Sequence, residues 1–310
     1  MFTQLTFQRR LARTIDGELS AFNRFRSKRT FFHVNAWNFV LRHHTSRKEE
    51  TQENVSSSAN STILLGMSTK AKDAFLTAEW KHVAMLNYAI APSVLVSFVP
   101  AGTELDTWNG THYVSLVGFL FANTRVSGYA IPFHRNFEEV NLRFYVRRKS
   151  DDGWKRGVVF IKEIVPRSMV ALVAQYFYNE PYVGLPMSHR IETSGGELQS
   201  VRYNWRFDGR QNNLSAVVRG GLQPLVVGSE AEFIIEHYWG YNRQRDGSTL
   251  EYQVEHPSWR YYDVAEASLQ CDVGGLYGTQ FQAGMNRTPV SVFVAEGSAI
   301  TVHRGLKLRN

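Results

Sequence analysis

Cysteine is nearly absent from this 310-residue chain. The single thiol, Cys271, excludes an internal disulfide and any zinc site built on several cysteines, so packing and hydrogen bonds must hold the fold. A lone thiol fits a reducing compartment, and a cytoplasmic location is expected. Beside Asp272 and Gly274 it reads either as a small buried hydrophobe or as a nucleophile. Long apolar runs are missing too: no uncharged apolar run, free of Pro, Asn and Ser, approaches the roughly 20 residues that a spanning helix needs, so no integral membrane segment is expected. The phosphate-binding patterns GxGxxG and GxxxxGK[ST] and the GxSxG elbow do not occur, which removes nucleotide cofactors and serine hydrolysis from the leading candidates. No two histidines have the HExxH spacing, and no second soft ligand accompanies Cys271, so neither a metal nor a cofactor is expected.

What charge there is lies unevenly. The net charge is +7, yet residues 1–48 hold ten Lys and Arg against Asp16 and Glu18, while residues 49–310 carry 25 basic against 26 acidic side chains. The body of the protein is close to neutral, and nucleic-acid binding by it loses its main support. The basic stretch, followed by a polar segment through Ser56-Ser57-Ser58 to Gly66, is read as a poorly structured leader and linker over residues 1–66. It is open to three accounts: an organelle-targeting peptide, a membrane-surface segment, or a translation start placed too early, since Met67 follows at once. The expected domain is 67–310.

Periodicity divides that domain. Phe75, Leu76, Trp80, Val83 and Leu86 have the spacing of one face of a helix or turn between Lys70 and Tyr88, and Met169, Val170, Leu172, Val173 and Tyr176 predict a helix over Pro166 to Tyr178. Segments 112–121, 140–148, 156–164, 214–220, 230–240 and 291–303 are short, rich in Val, Phe, Tyr and Ile, and bounded by Gly, Asn, Asp or Pro, which predicts strands. His237 and Tyr238 fall inside one of these. Residues 267–285, with four glycines, predict a loop or short helix. Many strands with few helices imply a mainly β (α+β) fold, curled so that edges are not left open. Any edge that stays exposed can pair in a homo-oligomer.

The most informative stretch is Ile131 to Arg148, IPFHRNFEEVNLRFYVRR. Strand alternation sends Glu139, Asn141, Arg143 and Tyr145 to one face and Val140, Leu142, Phe144 and Val146 to the other. A line of polar groups on a central strand needs partners or a wet cavity, because an isolated buried charge is costly. Glu139 and Arg143 stand about 13 Å apart along an extended strand, too far to pair. One account makes Arg143 the anchor of a carboxylate, Asn141 and Tyr145 its orienting neighbours, and Glu139 an acid or base. The plainer account is a solvated face with surface ion pairs. Glu180 and Tyr182, on a loop after the second predicted helix, and His134, just after Pro132, complete the ligand-binding set.

The words FEEVNLRFYVRR, RGVVFIKEIVPR, YNEPYVGLPM, EHYWGY and VFVAEGSAITVHRG, in that order from about Phe75 to Lys307, resemble the uncharacterised DUF2071, or YqjF-like, family. That family is similar in fold to acetoacetate decarboxylase, which implies an antiparallel β barrel or cone with a few helices and a central cavity. The decarboxylase uses a Schiff-base lysine activated by an adjacent lysine. This chain has no Lys-Lys pair. Lys162, inside VVFIKEIV, is the catalytic lysine candidate, although the neighbouring Glu163 is expected to favour its charged form. Three functions follow: a cavity protein for a small organic acid or keto compound, a decarboxylase or lyase acting through a Schiff-base lysine, and a non-catalytic interaction domain.

Overall fold

A computed structural model of the chain describes residues 74–130, 134–166 and 181–308. The strands are β1 (Ala74–Ala89), β2 (Glu104–Leu105), β3 (Tyr113–Val126), β4 (Tyr129–Ala130), β5 (Phe137–Ser150), β6 (Gly153–Val165), β7 (Tyr182–Gly184), β8 (Met187–Ser194), β9 (Glu197–Phe207) and β10 (Arg210–Gln223). They continue as β11 (Trp239–Arg243), β12 (Thr249–Glu255), β13 (Tyr261–Gln270), β14 (Ser291–Ala295), β15 (Ala299–His303) and β16 (Leu306–Lys307). Among the described residues four short α-helices interrupt them: α1 (Pro92–Leu95), α2 (Glu230–Ile235), α3 (Val273–Tyr277) and α4 (Gln282–Met285). The mainly β expectation holds, and the sheet is mixed rather than wholly antiparallel, because β6 pairs in parallel with both β7 and β11.

Seven strands close on themselves. The pairings run β3 to β5, β6, β11, β12, β15, β1 and back to β3. Closure removes the open edges that a sheet of this size otherwise presents. The face that carries Tyr145 continues through Val158 on β6, Tyr252 and Val254 on β12 and Ile300 and Val302 on β15, all buried. The alternate residues Gln253, Thr301 and His303 are only half-buried. The Tyr145 face therefore turns into the ring. A second layer, β14, β13, β10, β9 and β8, extends from β1 and covers the other face of β1, β3 and β5. There Leu86, Leu116, Leu142 and Phe144 pack with Tyr203, Trp205 and Leu214, and with Leu276, Tyr277 and Phe281 from α3 and its surroundings. Gly118 permits this approach, since a Cβ at that position would lie 2.6 Å from the Tyr203 ring.

Two expectations are corrected. The stretch Lys70 to Tyr88 is not a helix: from Ala74 it is β1. Its register slips against β3 on either side of Trp80, between Thr77 and Glu79 and between Lys81 and Ala84; Asn123 on β3, at the first slip, and His82, in the second, are left-handed. Such bulges reset the alternation of apolar residues, and from Val83 to Tyr88 both faces are buried, so the spacing mimics a helical one. Conversely, 230–240 is not one strand. Ser229 caps α2 by accepting from the Glu232 amide at 3.1 Å, and the Glu232 carboxylate returns to the Gly228 amide, a reciprocal arrangement of the S-x-x-E kind. His237 and Tyr238 then sit in the connection ahead of β11. The loop or short helix expected at 267–285 is the end of β13 followed by α3, a 3-10 turn at 279–281 and α4. The helix predicted over Pro166 to Tyr178 and the leader 1–66 lie outside the described residues, apart from Pro166 itself.

Candidate functional site

The alternation on β5 aims its polar line at the inside of the ring. Glu139, Asn141 and Tyr145 are buried and Arg143 is half-buried, while Val140, Leu142, Phe144 and Val146 fill the layer behind. Buried polar groups need partners, and part of this line finds them among its own members. Asn141 donates to Glu139 Oε1 at 2.9 Å. Directly across the ladder from Asn141 stands Glu163, also buried, whose Oε1 accepts from the Tyr182 hydroxyl at 2.7 Å. Glu163, which stands out in the sequence only as the neighbour of Lys162, thus joins the expected Glu139, Asn141 and Tyr182. His134 is buried just ahead of β5. Glu180 lies outside the described residues.

Arg143 and Tyr145 meet α2, which lies over this end of the face. The Arg143 guanidinium donates to the Ile234 carbonyl at 3.1 Å and its carbon lies 5.6 Å from the Tyr145 ring centroid, while its Nε makes no hydrogen bond among the described residues. His237 stacks on Tyr145 with centroids 4.8 Å apart. Burial, then the Arg156 and Arg143 cations, hold this imidazole well below its ordinary pKa, and it is neutral at physiological pH. Arg156 is itself paired with Asp106 at 2.7 Å.

Tyr145 also begins a chain of hydrogen bonds whose direction is fixed at its far end. A carboxylate only accepts, so Ser291 donates to Glu230 at 2.7 Å. Asn87 must then donate to Ser291 at 3.1 Å, Ser115 donates to the Asn87 carbonyl oxygen at 2.6 Å, and Tyr145 donates to Ser115 at 2.6 Å. The Tyr145 oxygen is left to accept. A group entering here meets a donor in Arg143 and an acceptor in Tyr145, which alters the orienting role expected for Tyr145.

Lys162 is not part of this group. It stands opposite Leu142, on the face between the layers, where its amine donates to the Leu276 carbonyl. Burial alone lowers its pKa. Glu163 points to the other face, so the expected electrostatic brake on Lys162 is absent, and strand alternation was the signal that already said so. Cys271 is half-buried, and burial with Asp272 pushes its thiol up to about 12, against a role as a ready nucleophile. No cluster of three or more His, Cys, Asp or Glu among the described residues is placed to hold a metal ion, and no described helix is long and apolar enough to cross a membrane.

Comparison with known proteins agrees with this architecture. Residues 77–299 match the model of DUF2071, described as an uncharacterized conserved protein. The uncharacterized protein YqjF of Bacillus subtilis (strain 168) is 29% identical over 196 residues, covering 61% of this chain and 76% of its own. Among solved structures, the enduracididine biosynthesis enzyme MppR complexed with pyruvate superposes with a TM-score of 0.55 at 12% identity, covering 79% of this chain and 93% of its own. Acetoacetate decarboxylase from Legionella pneumophila gives 0.53 at 13% identity, over 82% of this chain and 98% of its own. Identities this low carry the fold and not the chemistry.

Proposed function

We propose, from the premise that this chain belongs to the DUF2071 family of uncharacterized conserved proteins, that it binds a small organic acid or keto acid inside the closed ring, with Arg143 as the anion anchor. The observation that carries this reading is the half-buried Arg143 guanidinium, whose Nε has no hydrogen-bond partner among the described residues, beside an imidazole that burial keeps neutral. Arginine stays charged when desolvated and its fork fits a carboxylate. Pyruvate bound to the structural neighbour MppR is a ligand of this class. Asn141, Glu139 and Glu163 offer further polar contacts along the same strand pair, with the single thiol favouring a reducing compartment such as the cytoplasm.

The test is a thermal-shift titration of the full chain with pyruvate, acetoacetate and pyruvamide. A ligand bound only by the folded state raises the melting temperature, by about 2.7 kcal/mol of stabilisation at a hundred times Kd. Pyruvate and acetoacetate should stabilise, the neutral amide should not, and Arg143→Ala should lose the effect. A shift that survives Arg143→Ala removes Arg143 as anchor, and no shift with any keto acid leaves the interaction-domain reading in its place.

A second reading rests on Lys162, whose amine burial alone makes easier to deprotonate. In it the uncharged amine condenses with a ketone as an imine, the entry to lyase chemistry. Borohydride with pyruvate should then leave a mass adduct on the wild-type chain and none on Lys162→Ala. An unmodified wild-type mass ends that reading.

A further inference from the structure

The face between the two layers holds polar groups that the Arg143 site does not use. Tyr88 and Trp205 are fully buried and Tyr277 nearly so, yet the two hydroxyls and the indole N–H have no hydrogen-bond partner among the described residues. They gather round one segment. All three belong to one buried cluster, and Cys271 packs against it. Lys162 places its amine on the carbonyl of Leu276, the residue before Tyr277. Trp205 pairs across the ladder with Asn212, whose Oδ1 accepts from the Asp272 amide at 2.9 Å. The nearby Asp272 carboxylate is engaged as the cap of α3, accepting from Gly275 at 2.9 Å. The cluster around residues 271–277 thus holds two phenol donors and one indole donor, with the Lys162 amine on a backbone carbonyl beside them and the Asp272 carboxylate engaged in its cap.

Buried donors left unmet are costly, and three of them in one cluster, with the Lys162 amine beside it, call for an acceptor-rich, negatively charged group. The surroundings are otherwise apolar: Leu95, Leu276 and Phe281 are buried in the same cluster, and Phe98 packs on Phe281 with centroids 5.7 Å apart. We propose that the interlayer space binds the carboxylate of an apolar carboxylic acid, Tyr88, Tyr277, Trp205 and Lys162 donating to the headgroup and the aromatic and aliphatic side chains receiving the tail. This site lies on the opposite face of β5 from Arg143 and does not depend on it.

The probe is octanoate, with octanamide as the uncharged control, titrated into the full chain by calorimetry. Octanoate should bind at least about tenfold more tightly than octanamide, and Tyr88→Phe with Tyr277→Phe, which keeps both rings and removes both hydroxyls, should weaken octanoate by about tenfold or more. Lys162→Met should erase the preference for the acid, and Arg143→Ala should leave octanoate binding intact. Should the double variant fail to fold, Tyr277→Phe alone and a crystal soaked in octanoate decide the matter. The proposal is overturned if octanoate does not bind, if the amide binds equally well, if the phenylalanine variants bind unchanged, or if the soaked crystal shows only water on the four donors. Loss of octanoate binding in Arg143→Ala would overturn it too, by placing that ligand inside the ring.

Discussion

At the scale of single residues the consequential group is His237. In the unfolded chain it titrates near 6.5, whereas in the fold burial, reinforced by Arg156 and Arg143, holds its pKa well below that value; the Ile234 carbonyl acts weakly the other way. The sign follows directly. The folded pKa is depressed, so below about pH 6.5 the unfolded state takes up a proton that the native state refuses. Stability is full above that pH and falls as the pH drops, by about 1.4 kcal/mol per unit. Denaturant titrations between pH 7 and 5 should show this slope in the wild type and a flatter one in His237→Phe; equal slopes would mean that the imidazole is not held neutral. The buried chain from Tyr145 to Glu230 predicts a second residue effect. Asn87→Leu leaves Ser115 without its acceptor and Ser291 without its donor, and should cost about 2 kcal/mol or more in denaturation. Of these residues, Arg143, Asn141 and Tyr145 were legible in the sequence because alternation on one strand singles them out. His237, Ser115 and Asn87 were not, because they join the site from other strands and from a connection, and no local pattern records which strands become neighbours.

At the scale of elements the legible parts are those that obey one period throughout. β5 keeps strict alternation over the stretch that matters, and its two faces follow from the sequence without further information. β1 breaks its own alternation at two bulges, and a reader of spacing meets a helical pattern there. The S-x-x-E at Ser229 to Glu232 was available as a helix start, but the run EAEFII after it is apolar enough to pass for a strand. Gly297 shows what the bulged strand demands of its partners. One edge of β1 pairs first with β15 and then with β14, so the turn at 296–298 must pass close over Trp80. Gly297 is left-handed there, φ 78°, and a Cβ would run into the Trp80 carbonyl. Gly297→Ala should therefore cost more than the usual surface change, about 2 kcal/mol or more, and protection of the Trp80 and His82 amides, which donate to Ser298 and Glu296, should fall in hydrogen exchange. Unchanged exchange at those amides would show that the turn does not brace β1.

At the scale of the whole molecule, the ring and the layer over it share β1, β3 and β5, whose buried residues face both ways. A single sheet with two buried faces cannot be loosened on one side without exposing the other, so the two candidate sites should lose stability together even though they bind independently. Composition points to where this cooperative unit begins. The family match starts at residue 77 and the described strands at Ala74, whereas the basic excess is confined to residues 1–48. We propose that residues 67–310 fold and bind as the full chain does. On this account the truncated chain should keep the melting temperature of the full one within about 2 °C and the same pyruvate shift. A charge effect should appear only with the leader: the full chain should sediment with anionic vesicles at low ionic strength and release on adding salt, and residues 67–310 should not. If the truncated chain melts several degrees lower, residues before Met67 brace the fold, and the composition break is not a domain boundary. If both forms bind vesicles alike, the basic excess of the first 48 residues is not what reaches the membrane, and the surface responsible lies within the β body itself.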